Sequence, residues 1–481
     1  MKKKLMIIAV CIASLVLFTG VFFLIFGVFA DMRNDGKGGS EQEEKENRVV
    51  DITSFSAYTE QAEFQKVPAM ATEGAKIGEA RKCGSTYVID VNGTTEADYD
   101  AYLAILEKKG FTKHSENGED KMEGYVKTAS FIGEDITLTV TQMLSWDKTY
   151  ISATRDLALS DHMIYEDNAA ENTEGAQTKL YMMELVAGIG NSFVIQLKNG
   201  HFVLYDGGKE EEMLYLLDFL ESLAPEGEKP VIEAWFISHA HADHNGVLLA
   251  LAEDAKNAGR LIVDGIYYQE PAEEVVRETG ESISPVRNTV MAHQYFKDQK
   301  GNTTAFYRPQ LGQRYYFSDI YIDVCMTPDV YLLDTYYQKD FNDTSIWLKA
   351  FIEGQTFLCG GDSGYTGTRT IMNTFDRSYG DVDIFAVLHH GINVYNYFTD
   401  FVQADTALYT SWRTLSPFHE HTEYLVSRIE ENEHLKESVK ECFSYGDGTV
   451  VLTFPYTVGA AKILPKNQWI YGDVPFRKGL D

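Results

Sequence analysis

An apolar run, Val231 to Ile237, passes without a break into Ser238-His239-Ala240-His241-Ala242-Asp243-His244-Asn245-Gly246, and apolar character resumes from Val247 to Leu251. The pattern reads as a buried strand, a loop bearing four donor side chains, and a helix. A loop at a strand's end is free to turn those side chains toward one point. Neutral imidazoles and carboxylates hold Zn²⁺ at about 2.0 to 2.2 Å, and a two-ion site needs both kinds on adjacent ions. Three histidines and one aspartate fall within six positions of a chain with 12 histidines in all, a density that an ordinary polar loop does not require.

Other segments fit around this junction. Asn199 to Gly208 reads as a strand ending in Asp206 and two glycines, and Gly354 to Asp362 as a hairpin strand ending in Gly-Asp. Val382 to Leu388 reads as another buried strand, followed by His389-His390-Gly391. Asn342-Asp343-Thr344-Ser345 precedes the hairpin, and Ser411-Trp412-Arg413 and His419-Glu420-His421 come later. Asp206 alone would be a turn residue, and Arg413 fits a surface ion pair as well as an oxyanion contact.

With these residues in view, His239 to His244 resembles the HxHxDH motif of the metallo-β-lactamase superfamily. The resemblance implies an α/β fold, an αββα sandwich, with His239 and His241 on one metal ion and Asp243 and His244 on the other. It implies that Asp206 orients ligands by hydrogen bonding and that Asp362 bridges the ions. One of His389 and His390 would complete the second ion while its neighbour contacts substrate or packs; the sequence does not choose between them. The cofactor implied is Zn²⁺, as two ions, with Mn²⁺ as the alternative.

The order of the Asn342 to Ser345, Gly361-Asp362, His389-His390-Gly391 and His419-His421 segments resembles one branch in particular, the hydrolase domain of the bacterial DNA-uptake channel protein ComEC and its free-standing relatives. That likeness places Asn342, Ser345, His419 and His421 near the metals or the substrate. Two departures stand out. Ile392 to Tyr397 stands where that branch continues His-His-Gly with Ser and a nearby Lys or Ser, which weakens phosphodiester specificity. No third histidine serves the first ion between Asp243 and Asp362 except His293, whose helical setting, Met291 to Phe296, reads as surface or core. Water or Asn342 is left to complete that ion.

The rest of the chain divides by composition. Lys2 to Lys4 precede an uncharged stretch from Leu5 to Ala30, about 26 residues where roughly 20 span a bilayer. Residues 1–30 are expected to be a single-pass anchor with the remainder extracytoplasmic; cleavage near Ala30 and secretion is the alternative. Residues 31–48 are a polar, glycine-bearing tether. Residues 49–159 read as a small α+β domain: a strand at Tyr87 to Val91, a capping box at Thr95 to Asp98, and Tyr99, Tyr102, Leu103 and Leu106 on one helical face. Strands follow near Ile136 to Val140 and Tyr150 to Ala153. Residues 160–178 read as a second linker, and 179–481 as the hydrolase domain. The five cysteines lack metal or disulfide spacing.

A formal net charge of −30 disfavours extended nucleic-acid binding unless a local basic patch or a bound cation reverses the field. The expected activity is therefore a membrane-anchored, metal-dependent hydrolase of a small-molecule or polymer ester, a phosphoester or its relatives. Asp243 would orient the attacking oxygen. A ComEC-type nuclease and a non-catalytic metal-binding surface module are the alternatives.

Overall fold

The computed structural model describes residues 49–464 apart from 52–53, 118–121, 123, 167–171, 187, 329–339 and 412–428. Contacts group residues 48–481 into one compact unit, separate from residues 1–47. The expected anchor at 1–30 and tether at 31–48 lie outside the described residues. Among the described residues, no helix is long and apolar enough to cross a membrane.

Two sheets form the centre of the unit. The first runs, in spatial order, Ala305–Tyr307, Gly265–Tyr267, Val231–Phe236, Phe202–Asp206, Ser192–Gln196, Lys179–Met182, Val450–Thr453 and Lys462–Ile463, with Ile262–Val263 beside Val231–Phe236. The second runs Arg314–Phe317, Ile320–Met326, Trp347–Ile352, Gln355–Cys359, Ile384–Ala386, Thr406–Tyr409 and Glu441–Ser444. Side chains alternate between the faces of a strand, and the second sheet follows that rule. Phe357, Cys359, Ile384, Ala386 and Leu408 enter a core shared with Phe193, Leu204 and Phe236 of the first sheet. Leu358, Phe385, Ala407 and Tyr409 face the opposite way, onto the helices Tyr365–Thr374, Asn396–Val402 and Ile429–Ser438. The helices Met213–Leu223 and Ala242–Glu253 pack Leu216, Leu220, Val247 and Leu248 into the first core. Helix, sheet, sheet and helix are thus layered around two apolar cores.

Residues 55–155 build a third, antiparallel sheet with the helix Glu96–Lys108 across one face. Thr95 and Asp98 form the anticipated capping box, and Tyr99, Tyr102, Leu103 and Leu106 are buried beneath the helix. The other face meets the sandwich: Thr128 Oγ1 donates to the Leu311 carbonyl at 2.9 Å, and Gln313 Nε2 donates to Ser130 Oγ at 3.1 Å. The stretch expected to link the two parts makes contacts of its own. Ser160 Oγ lies 2.8 Å from the Tyr267 hydroxyl, and His162 Nδ1 lies 3.0 Å from the Tyr316 carbonyl.

Candidate metal centre

The strand Val231–Phe236 lies parallel between Phe202–Asp206 and Gly265–Tyr267, so its C-terminal end opens at one edge of the sandwich. Beyond it the chain stays extended through His241, at φ −79° and ψ 150°, which caps the helix Ala242–Glu253. Asp243 and His244 therefore sit in the first helical turn and not on a loop as the sequence suggested. The apolar residues that mark the helix begin only at Val247, whereas its first turn is made of donor residues. A carboxylate is favoured there because it faces the unpaired N–H groups of the helix start.

Asp206 organises this junction. Its carboxylate accepts from Ser238 N at 2.7 Å, Ser238 Oγ at 2.8 Å and Asn191 Nδ2 at 2.7 Å. It also takes the Nδ1–H of His244 at 2.8 Å, which leaves His244 Nε2 as the free ring nitrogen. That atom lies 3.2 Å from Asp362 Oδ2 and 4.0 Å from Asp243 Oδ1. His390 Nε2 lies 3.3 Å from both Asp243 Oδ2 and Asp362 Oδ2, while its Nδ1 meets Thr410 Oγ1 at 2.9 Å. One donor atom from each of Asp243, His244, Asp362 and His390 lies within 4.8 Å of the others. Both Nε2 atoms are buried without a hydrogen-bond partner among the described residues. Two orphaned imidazole nitrogens facing two carboxylates fit a divalent cation.

A second pair stands beside them. His239 Nε2 and His241 Nδ1 lie 2.9 Å apart. The far side of His239 contacts Ser238 Oγ at 3.1 Å and Ser345 Oγ at 3.3 Å. His241 Nε2 is 3.7 Å from Glu281 Oε1, and the Phe341 ring packs on its imidazole at 4.9 Å. His389 Nε2 reaches Asp362 Oδ2 at 3.5 Å. His389 and His390 adopt φ of 49° and 58° in succession, a left-handed backbone that costs non-glycine residues of order 1–3 kcal/mol each. The turn brings both rings to Asp362. Gly361 also has positive φ, and a Cβ there would stand 2.8 Å from Ser238 Cβ and Ser345 Oγ, so only glycine lets the Asp362 loop seat against the junction.

The family model described as Metallo-beta-lactamase superfamily matches residues 185–306. The chain carries a metallo-beta-lactamase superfamily domain. Solved structures align with low similarity. One is a Cronobacter sakazakii metallo-beta-lactamase with a HARLDQ motif, at 15% identity and TM-score 0.26 over 41% of this chain and 66% of that one. Another is the Zn²⁺-bound PqqB from Methylobacterium extorquens, at 9% identity and TM-score 0.26 over 46% and 60%. A third is Tm1679, a metal-dependent hydrolase of the beta-lactamase superfamily, at 13% identity and TM-score 0.30 over 56% and 95%. The alignments thus span 66% and 60% of the first two proteins' own lengths. A search of curated proteins finds no match. The assignment rests on the family match over residues 185–306.

Charge at the centre is arranged around Asp362. Burial opposes its ionisation, but His244, His390 and His389 outweigh burial and hold the carboxyl well below its ordinary range. Burial likewise opposes a proton on His390, yet Asp362 and Asp243 push its pKa up to about 9. His244 is raised well above 6.5 against burial by Asp362, Asp206 and Asp243. Burial and the neighbouring His244 drive His239 the other way, well below 6.5. A cation held here would compete with protons for the ring nitrogens of His244 and His390.

The remaining sequence candidates separate. Ser345 accepts from the Asp362 N–H at 3.2 Å and donates to the Asn342 carbonyl at 2.7 Å, so it ties His239 to the Asp362 loop. Asn342 Oδ1 is buried without a hydrogen-bond partner among the described residues. His293 is a packing residue: its ring lies 5.4 Å from Phe306 and its Nδ1 2.6 Å from the Val290 carbonyl. Arg413, His419 and His421 lie outside the described residues. Sequence reasoning missed Thr410, Asn191 and Asp343. Asp343 accepts from Gly364 N at 2.7 Å and Gly367 N at 2.9 Å and so seats the helix after Asp362. After His-His-Gly, Tyr395 and Tyr397 stack at 5.3 Å, and Arg369 lies over Tyr397 at 4.2 Å.

Proposed function

We propose that this chain is a metal-dependent hydrolase, anchored to the membrane by residues 1–30 with its catalytic domain outside the cytoplasm, that cleaves a phosphoester or related ester. The observation that carries the hydrolytic reading is the buried Asp243, His244, Asp362 and His390 group, with two ring nitrogens lacking partners. Asp243, His244 and His390 would hold one ion, His239 and His241 the other, and Asp362 would serve both. When bound, two such ions supply a hydroxide near neutral pH and stabilise the oxyanion that its attack creates.

The chain's own residues then have separate tasks. Asp206 fixes the His244 tautomer and presents Nε2, and Thr410 does the same for His390. Asp243 has a second carboxylate oxygen with which to orient the attacking oxygen. Phe341 packs on His241 and limits water and substrate shape on that side of the centre. The ComEC likeness supports phosphoester chemistry, while the net charge of −30 separates this chain from a nuclease.

The test is metal analysis of the purified protein followed by a panel of chromogenic phosphodiesters, phosphomonoesters, lactones and β-lactams. Chelator-sensitive turnover of a phosphoester, lost in Asp243→Ala and Asp362→Ala with the fold retained, is expected. Bound metal without turnover of any substrate would favour the non-catalytic module, and turnover confined to lactones or β-lactams would overturn the substrate class. Protease accessibility of the catalytic domain on intact cells, with retention in the membrane fraction, tests the location.

A further inference from the structure

Away from the metal centre, residues 80–84 of the third sheet's edge and residues 270–287 of the sandwich enclose a cavity of ≈ 500 Å³. A small core of Cys83, Ala272 and Val275, all buried, joins the two segments, so the cavity wall is set by packing and not by loops alone. Arg81, Lys82, Arg277 and Arg287 line it. Glu270, Glu273 and Glu274 line it too, and Arg81 pairs with Asp90 at 3.5 Å, so in a chain of formal net charge −30 the cavity brings four cations together with three carboxylates.

Two of the three wall carboxylates are already drawn to arginines. Glu273 is shared by two arginines, Arg277 at 3.0 Å and Arg287 at 3.6 Å. Glu270 is drawn off to Arg308, whose Nε donates to it at 3.0 Å. Its path crosses Gly84, where φ is +59° and a Cβ would fall 2.6 Å from Glu270 Cδ, so a side chain at position 84 would block the Glu270 to Arg308 contact. Arg308 thus neutralises one wall carboxylate from outside the cavity. Arginine forks match the oxygen pairs of phosphate and carboxylate.

The cavity is also joined to the metal centre. Its arginines sit on the helices Glu273–Thr279 and Ile283–Ala292, and Glu281, which faces His241 Nε2 at 3.7 Å, lies on the turn between them. We propose that this cavity is a second ligand site that binds a phosphate or carboxylate group through Arg277 and Arg287. The anion is either the distal group of an extended substrate or a separate small molecule that acts on the centre through the Glu281 turn.

The test uses the full chain, stripped of metal so that the centre does not capture the probe, titrated calorimetrically with inorganic pyrophosphate. Saturable binding that weakens with salt is expected. It should fall about tenfold or more in Arg277→Ala combined with Arg287→Ala, the size of losing one charge-assisted contact, and Arg→Lys at both positions should recover part of it. These side chains are 71% and 64% exposed, so the substitutions leave the fold intact, which circular dichroism checks. No binding, or binding indifferent to the two arginines, overturns the proposal. Its outcome is independent of turnover, so failure of the hydrolase reading would leave the titration standing. In a turning-over enzyme the Arg277→Ala and Arg287→Ala double variant reads the source of the anion: a raised KM with kcat unchanged assigns it to the substrate, and a change in kcat alone assigns it to a separate effector.

Discussion

The two donor groups of the centre are built differently. In the group of Asp243, His244 and His390, each histidine has its far nitrogen held by a buried partner: Asp206 for His244 and Thr410 for His390. In the pair His239 and His241, the outer histidine has, among the described residues, Glu281, a residue 48% exposed, behind it. A ligand whose far nitrogen is fixed in a dry site keeps its tautomer and direction, whereas one backed by a solvated carboxylate reorients at little cost. On the proposed two-ion reading, the contrast would make one ion tightly held and the other exchangeable, with Asp362 common to both.

Asp362→Ala is the largest disruption of that contrast, because it strikes both groups. Turnover should fall by about a thousandfold or more, the scale of several kcal/mol of lost charge stabilisation, and metal content should drop at both positions. Retention of two ions per chain would show that Asp362 is not shared. Asp206→Asn acts mainly on one group. It replaces the charged oxygen that fixes His244 with an amide, so affinity for the ion His244 would hold should weaken about 10- to 100-fold, and the other, reached only through Ser238 and His239, should weaken less. Competition with a chromophoric chelator resolves the two.

How far the sequence foretold this can be judged residue by residue. The strand before Ser238 was legible because a run of apolar residues bounded by a polar motif has one economical reading, and the helix Glu96–Lys108 because its capping box and apolar spacing agree. The start of the helix Ala242–Glu253 was not legible, since Asp243 and His244 give no apolar period. Nor was the pairing of Thr410 with His390 or of Asn191 with Asp206. Those contacts join strand ends brought together by sheet order, and no local pattern records sheet order. His390, not His389, falls in the close donor group, a distinction made by the left-handed turn at both residues.

Asp343 offers a stability measurement on the wall behind the Asp362 loop. Burial pushes its pKa up to about 6, against the Gly367 and Gly364 N–H groups that favour its charge. The folded chain therefore holds this proton more tightly than the unfolded chain. The group's stabilising contribution is complete below the unfolded pKa of about 4 and is lost as pH rises through about 6. Asp343→Asn keeps an acceptor for both N–H groups and abolishes the titration, so its urea midpoint should flatten between those pH values and match or exceed wild type at pH 7. Asp343→Ala should instead cost about 1–3 kcal/mol for each N–H left without a partner.

The smallest effect is expected at Glu281, and it is the one that most sharpens the comparison. If the outer histidine is only loosely oriented, Glu281→Gln should change turnover by less than about threefold, because an exposed ion pair is worth about 0–1 kcal/mol. The exchange rate of the weaker ion should still rise, since His241 loses its one charged partner on that side while the Asp206 and Thr410 supports stay intact. Stopped-flow transfer of metal to a chelator reads both phases in one trace. A faster slow phase would place Glu281 behind the tightly held ion, and the asymmetry between the two groups would then be wrong.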